Sequence, residues 1–472
     1  MNAMARDPAA KRDAVQAWAQ SVVPPLLRDS GVPGACLAVV TADDVLLLEG
    51  FGRTHADGAS VDPAGTRFRI GSLTKPMTAM LAVKLAEAGR IDLDGDVNGL
   101  LKRVRVPATF PLPVTSRQIL RHRAGFAGIS MRLQAATAAR ARMPARDMQR
   151  HVRRIRAPGD VPAYDNLGYG LLGIALEDAT GRALFDLYRE TLFAPLGMKS
   201  AILGPPPEDE VFAARGHVLR GDSVHAIRPG HLPLLMQAAG AISATAADMV
   251  EFARCILRRG APLLGESAFR AMVQFQAPHP EAPGIGLGLL ESDFAGHRGF
   301  GHGGLIDGFT ARLAVFPQAG IALFAAFNIG PDLRRAPWLA PFDRLRRSSE
   351  GAQMQAALSG LDRHVVASFA NRFVPAAAPT TPLRLPRIET SHLAGLYRPT
   401  RARTGGMLDR LTHPGVAVSA LADGGLRIGD ALHVRISDGH FADAAGGHVY
   451  FRLAESRALM AQSSTAVYER AA

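Results

Sequence analysis

Cysteine is nearly absent from this chain: two in 472 residues, Cys36 in a strand-like run and Cys255 in a helix-like run. Two isolated cysteines build no disulfide framework and neither stands at a metal-ligand spacing, so both read as buried small hydrophobes. Long apolar runs are missing as well. The longest, Ile321 to Phe327, falls far short of the roughly 20 residues of a membrane helix, so no bilayer span is expected. Residues Met1 to Asp7 lack the charged start, apolar stretch and small-residue cleavage site of a secretory signal, which points to the cytoplasm. Lysine is scarce too: five (Lys11, Lys75, Lys84, Lys102, Lys199) among 54 basic residues. Wherever a generic cation suffices the sequence uses Arg, so a patterned Lys stands out.

What is present is bulk and positive charge. A chain of 472 residues exceeds the size at which one core stops growing, so two folded units are expected. The net charge of +12 raises the question of nucleic acid, but the arginines are dispersed rather than clustered with aromatics. No nucleic-acid partner is therefore expected.

The patterned lysine is Lys75, in Phe68-Arg69-Ile70-Gly71-Ser72-Leu73-Thr74-Lys75-Pro76-Met77. If Ser72 opens a helix that runs on through Met80, Val83 and Leu85, positions i and i+3 share a face and the ammonium lies beside the hydroxyl. A helix start also offers free N–H groups and a positive dipole end to an oxyanion. Both features suit a nucleophilic serine with an amine as proton partner. The same residues also fit a capping Ser with a solvent-facing Lys.

In chain order, residues 8 to 29 read as an amphipathic helix (Val15, Trp18, Val22, Leu26), and Ala35 to Val40 and Val45 to Gly50 as two strands. Gly89 ends the Ser72 helix, and Thr115 to Leu120 forms another. Residues 131 to 156 are helix-permissive with a break at Pro144. Tyr164-Asp165-Asn166 follows the break at Pro158-Gly159-Asp160 and precedes an apolar helix, Gly170 to Asp178. Tyr164 and Asn166 fit an acid–base group and an amide-recognising side chain, or equally a packed Tyr and a capping Asn. Gly240 to Arg254 reads as a helix capped by Ser243 or Thr245.

Gly299-Phe300-Gly301-His302-Gly303-Gly304 matches G-x-G-x-x-G, but no helix follows it. Phe309 to Phe316, a Pro317–Gly320 turn and Ile321 to Asn328 make a hairpin instead. Glycines beside a His on a strand let a substrate approach the backbone closely. His297 and His302 have no carboxylate or third His at a ligand spacing, so no metal is expected. A Pro/Ala-rich linker spans 374–388. Beyond it, Val416 to Ala420, Leu426 to Ile428, Leu432 to Ile436, Val449 to Leu453 and Ala466 to Tyr468 suggest a small β-barrel or sandwich.

Together Ser72-x-x-Lys75, Tyr164-x-Asn166 and His302-x-Gly304 resemble the serine β-lactamase and penicillin-binding-protein superfamily. The likeness is to the class C-like serine hydrolases that include family VIII esterases, D-aminopeptidases and DD-peptidases. It implies an α+β fold: an antiparallel sheet flanked by helices, a helical subdomain and, from Leu393-Ala394-Gly395-Leu396-Tyr397-Arg398 onward, a lipocalin-like barrel. The implied units are a hydrolase domain at 1–373, the linker at 374–388 and the barrel at 389–472. The barrel is expected to shape access to the Ser72 cleft without supplying a catalytic group. By resemblance Ser72 is the acylated nucleophile, Lys75 and Tyr164 share its proton, and Asn166 contacts substrate. His302 stands where many relatives carry Lys, with Gly303 and Gly304 beside it; the N–H groups of Ser72 and Leu305 would form the oxyanion hole.

The reading is a serine hydrolase acting on an ester or amide of a small substrate, with no cofactor. An acyltransferase or peptide cyclase, a β-lactamase or DD-peptidase, or an inactive binding protein of the same fold are the alternatives. A His in place of Lys weakens carboxylate anchoring, so β-lactams are disfavoured. If His302 contacts a substrate carboxylate, activity on anionic substrates is expected to rise as pH falls through the ordinary histidine range.

Overall fold

The computed structural model describes residues 8–129, 134–207, 210–211, 213–333, 358, 360–375, 389–400, 415–444, 447–454 and 457–471. Most of the expected linker, 376–388, lies outside the described residues.

The centre is an antiparallel sheet of six described strands: β1 (Gly34–Val40), β2 (Val45–Gly52), β3 (Leu290–Phe294), β4 (His297–Ile306), β5 (Phe309–Phe316) and β6 (Ile321–Phe327), in the order β2-β1-β6-β5-β4-β3. All seven residues of β1 and of β6 are buried. Side chains alternate between faces along a strand. Cys36, Ala38, Phe324 and Ala326 enter one core, while Ala35, Leu37, Leu323 and Ala325 enter the other. Continuous apolar strands of this kind need cover on both faces. α1 (Pro8–Ser30) and the C-terminal helix Leu361–Phe373 supply it on one face, where Trp18 meets Phe369 edge-on at 5.2 Å. On the other lie α2 (Thr74–Glu87) and a helix Ala246–Leu257.

α1 buries Val15 and Trp18 as read, but further along Val23 and Leu27 are buried while the expected Val22 and Leu26 are half-buried. α2 follows a short 3₁₀ turn, Gly71–Leu73, and ends at Gly89 with φ +67°. Pro76 sits in its first turn, where a missing N–H costs no intrahelical bond. Ser116–Leu120 carries a capping box from Thr115 and Gln118. The single helix expected at Gly240 to Arg254 is three elements. α4 (Leu234–Gly240) ends there, Ile242–Ala244 pairs as a strand with Phe68–Arg69 and Ile202–Leu203, and Thr245 with Asp248 caps the helix that follows. α3 (Leu167–Thr180) precedes them and packs on α4.

Eight strands of the described C-terminal residues close into a barrel. Five match the expected runs. Gly395–Pro399, His440–Asp443 and Arg457–Ala461 do not announce themselves, because their short, Ala-, His- or Arg-containing sequences gain strand form only from their neighbours in the closed ladder. Among the described residues no helix is long and apolar enough to cross a membrane.

Candidate active site

The Ser72 turn, the start of α3 and the glycine end of β4 meet at one cleft. β4 approaches the turn because it carries glycine there: a Cβ on Gly304 would stand 1.9 Å from the Ile70 carbonyl oxygen. Gly71 takes φ +52°, and its own Cβ would lie 2.9 Å from Leu305 N. The G-x-G-x-x-G stretch is therefore strand throughout, and its glycines admit another backbone rather than a pyrophosphate.

Lys75 is fully buried. Its Nζ donates to Ser72 Oγ at 2.9 Å, to Asn166 Oδ1 at 2.8 Å and to the Ala239 carbonyl at 2.8 Å. The capping-Ser, solvent-facing-Lys alternative is thereby excluded. Two of the three partners are carbonyl acceptors, whereas a hydroxyl can also donate. A neutral amine would keep its two N–H bonds on those carbonyls and turn its lone pair to the Ser72 proton. Ser72 itself is half-buried, and no side chain caps the turn it occupies.

Lys75 is held in place by a staple of α2 onto α4. Thr78 Oγ1 donates to the Ala238 carbonyl at 2.6 Å, and Ile242 N donates to Thr74 Oγ1 at 3.1 Å. The Ala239 carbonyl was not foreseeable, since a backbone acceptor leaves no side-chain signature.

Asn166 does not cap α3. Asp165 does, accepting from Leu167 N and Gly168 N at 2.8 Å each, which leaves the Asn166 amide to face Lys75. The half-buried Tyr164 ring has Lys75 Nζ 4.8 Å from its centroid and lies 4.3 Å from the His122 ring. Tyr169 is also near, with Lys75 Nζ 5.5 Å from its centroid. Its hydroxyl donates to the Leu120 carbonyl at 2.8 Å, and burial holds the phenol well above its usual pKa. Of the two tyrosines, Tyr164 is the less buried and has its ring the nearer to Lys75 Nζ.

His302 stands on the opposite wall, 6.0 Å from the Tyr164 ring. Its Nδ1 donates to the Gly303 carbonyl at 2.6 Å, which leaves Nε2 as a buried acceptor with no hydrogen-bond partner among the described residues. Burial, reinforced by the charge of Lys75, lowers its pKa to about 3. This corrects the pH expectation: the imidazole stays neutral throughout the ordinary histidine range, so no rise on anionic substrates comes from it there. His297, five residues away, faces the other side of the sheet against Asn371 and Pro375.

Arg123 donates from Nη1 to the Gly159 and Asp160 carbonyls at 3.2 and 3.3 Å, bracing the loop before Tyr164. Gly303 and Gly304 line the cleft end of β4, and Leu305 is exposed there. A cavity of about 670 Å³ opens between Phe275–Ala282 and the barrel, but none of the cleft residues lines it.

The beta-lactamase family matches residues 19–346. Penicillin-binding protein 4 of Amycolatopsis lactamdurans is 31% identical over 313 residues, covering 63% of this chain and 81% of that protein. The crystal structure of SurE with D-Leu superposes at TM-score 0.59 and 25% identity, over 98% of this chain and 100% of that one, barrel included. A D-stereospecific amidohydrolase from Streptomyces sp. aligns at TM-score 0.55 and 25% identity, over 67% of this chain and 96% of that one.

Proposed function

The chain belongs to the beta-lactamase family, and we propose that it hydrolyses an ester or amide of a D-configured amino-acyl group through an acyl-enzyme on Ser72. The observation that carries this is the contact of Lys75 Nζ with Ser72 Oγ at 2.9 Å, between two carbonyl acceptors. Ser72 Oγ attacks the carbonyl carbon as its proton passes to neutral Lys75. The tetrahedral oxyanion is met by the N–H groups of Ser72 and Leu305. Collapse expels the alcohol or amine, which takes a proton from the Lys75–Tyr164 pair. Water then attacks the acyl-enzyme, giving its proton to the same pair and restoring Ser72.

Asn166 holds the Lys75 amine with its carbonyl and offers its amide to substrate. The neutral His302 is a poor anchor for a carboxylate, which disfavours penicillins and C-terminal D-alanine. The D-configuration rests on the structures matched with D-Leu and with D-stereospecific amidohydrolase activity. In this reading residues 1–373 carry the chemistry, 374–388 join, and the barrel at 389–472 supports. Nucleic acid has no part in it. The test is intact-mass detection of acyl-enzyme with D- and L-amino-acid p-nitrophenyl esters. Faster acylation by the D series supports the proposal, and equal or faster acylation by the L series contradicts it.

A further inference from the structure

The barrel grips the loop that carries Tyr164. Three of its residues reach residues 156 to 162, the segment that ends two positions before that tyrosine. Arg457, at the start of its strand, makes a two-pronged pair with Asp160: Nη1 to Oδ2 at 3.0 Å, and Nη2 to Oδ1. The same guanidinium reaches Glu469 Oε1 at 3.1 Å, and the other oxygen of Glu469 accepts from Arg156 Nη1 at 2.7 Å. The charges alternate Asp160, Arg457, Glu469, Arg156, with two members on the loop and two on adjacent barrel strands, where Leu459 pairs with Glu469. Thr400 Oγ, buried at 1% exposure, lies 2.7 Å from the Pro162 carbonyl and 3.0 Å from that of Val467.

The inner side of the loop rests on the hydrolase unit. Gly159 N donates to the Arg123 carbonyl at 2.7 Å, and Ala163 N donates to the His122 carbonyl at 2.8 Å. Asp165 N then donates to His122 Nδ1 at 3.1 Å, and the Tyr164 ring packs against the same imidazole, tilted by 32°. The loop is thus clamped between residues 122–123 and the barrel, and Tyr164 emerges from the clamp. Isolated exposed ion pairs contribute little, but a bidentate Arg–carboxylate in a four-member network, backed by a buried hydroxyl, fixes geometry.

We propose that Arg457, Glu469 and Thr400 of the barrel are positioning residues for catalysis: they set Tyr164 against Lys75 by clamping the 156–162 loop from outside. This rests on the Ser72 acyl-enzyme reading and goes beyond it, because it makes the barrel a support of the acid–base pair. A displacement of the proton-transfer group by a fraction of an ångström slows chemistry while leaving the binding of a small ester intact. A loosened Tyr164 also changes how the Lys75–Tyr164 pair titrates, so the pH–rate profile moves.

The test uses the full chain with p-nitrophenyl butyrate, following the pre-steady-state burst, beside labelling by a fluorophosphonate probe. Arg457→Met and Thr400→Val are expected to lower the acylation rate roughly tenfold, with KM within about twofold and the pH–rate profile displaced. The conservative Arg457→Lys, which keeps a cation between Asp160 and Glu469, is expected to recover part of the rate lost in Arg457→Met. If Thr400→Val fails to fold, Asp160→Asn, which cuts the clamp from the hydrolase side, takes its place. Acylation within twofold of the parent in folded variants overturns the proposal. So does a loss that Arg457→Lys does not restore at all and that follows a lowered Tm. Failure of the Ser72 reading is separate: it would show as absence of probe labelling in the unsubstituted protein.

Discussion

Two walls of one cleft each bury a basic side chain, and the two are in opposite conditions. On the α2 wall Lys75 is surrounded by three oxygens. On the β4 wall His302 has, among the described residues, one, the Gly303 carbonyl, and its other nitrogen is buried without a partner among them. Burial alone drives a cation toward its neutral form, and hydrogen-bond partners decide how far it goes. In the proposed cycle the first wall moves protons, and the second contributes shape and a lone pair.

The comparison breaks first on the α2 wall. Lys75→Arg keeps a cation but removes a group able to give up its proton, so acylation should fall by roughly a thousandfold, close to the loss in Lys75→Ala. Near-parent kcat in Lys75→Arg would mean that the amine is no base. The next effect separates the two tyrosines. Tyr164→Phe should lower the acylation rate by about a hundredfold with little change in Tm. Tyr169→Phe, which removes only the bond to the Leu120 carbonyl, should cost about 1 kcal/mol of stability and leave the rate within a few-fold. Equal rate losses in the two would dissolve the distinction drawn between them.

The smallest effect belongs to the β4 wall. Because the folded pKa of His302 is lowered from 6.5 to about 3, its stabilising contribution is complete above pH 6.5 and is lost as pH falls toward 3. Between pH 6.5 and 8 it adds no slope, and the ratio of rates on an anionic and a neutral ester should stay flat from pH 5 to 8. His302→Lys should raise acylation by a β-lactam about tenfold. A ratio that climbs between pH 7 and 5, and returns to flat in His302→Gln, would show that the imidazole does take a charge.

Much of this cleft was legible because its chemistry is local. Ser72 and Lys75 are three apart on a helix, so their meeting follows from the helical period once Gly89 marks the end. The β4–β5–β6 meander follows from alternation, and it removes the dinucleotide reading of the glycines. What sequence could not show depends on contacts distant along the chain. The third acceptor of Lys75 is a main-chain carbonyl 164 residues away. The neutrality of His302 comes from tertiary burial, which a residue name does not reveal. Asn166 could be read from the sequence as a cap, and only the fold gives that task to Asp165 and frees Asn166. The bracing role of Arg123 has no sequence signature, because its acceptors are main-chain carbonyls of a loop 36 and 37 residues away.

The central claim is that Ser72 is acylated with Lys75 as its proton partner, and peptide mapping of the trapped acyl-enzyme tests it most directly. After brief exposure to a slow-deacylating ester, the account predicts one acyl mass on the peptide containing Ser72, none in Ser72→Ala, and a rate of appearance strongly reduced in Lys75→Arg. An acyl group on any other residue at the unsubstituted rate, or full labelling of Ser72→Ala, would contradict it.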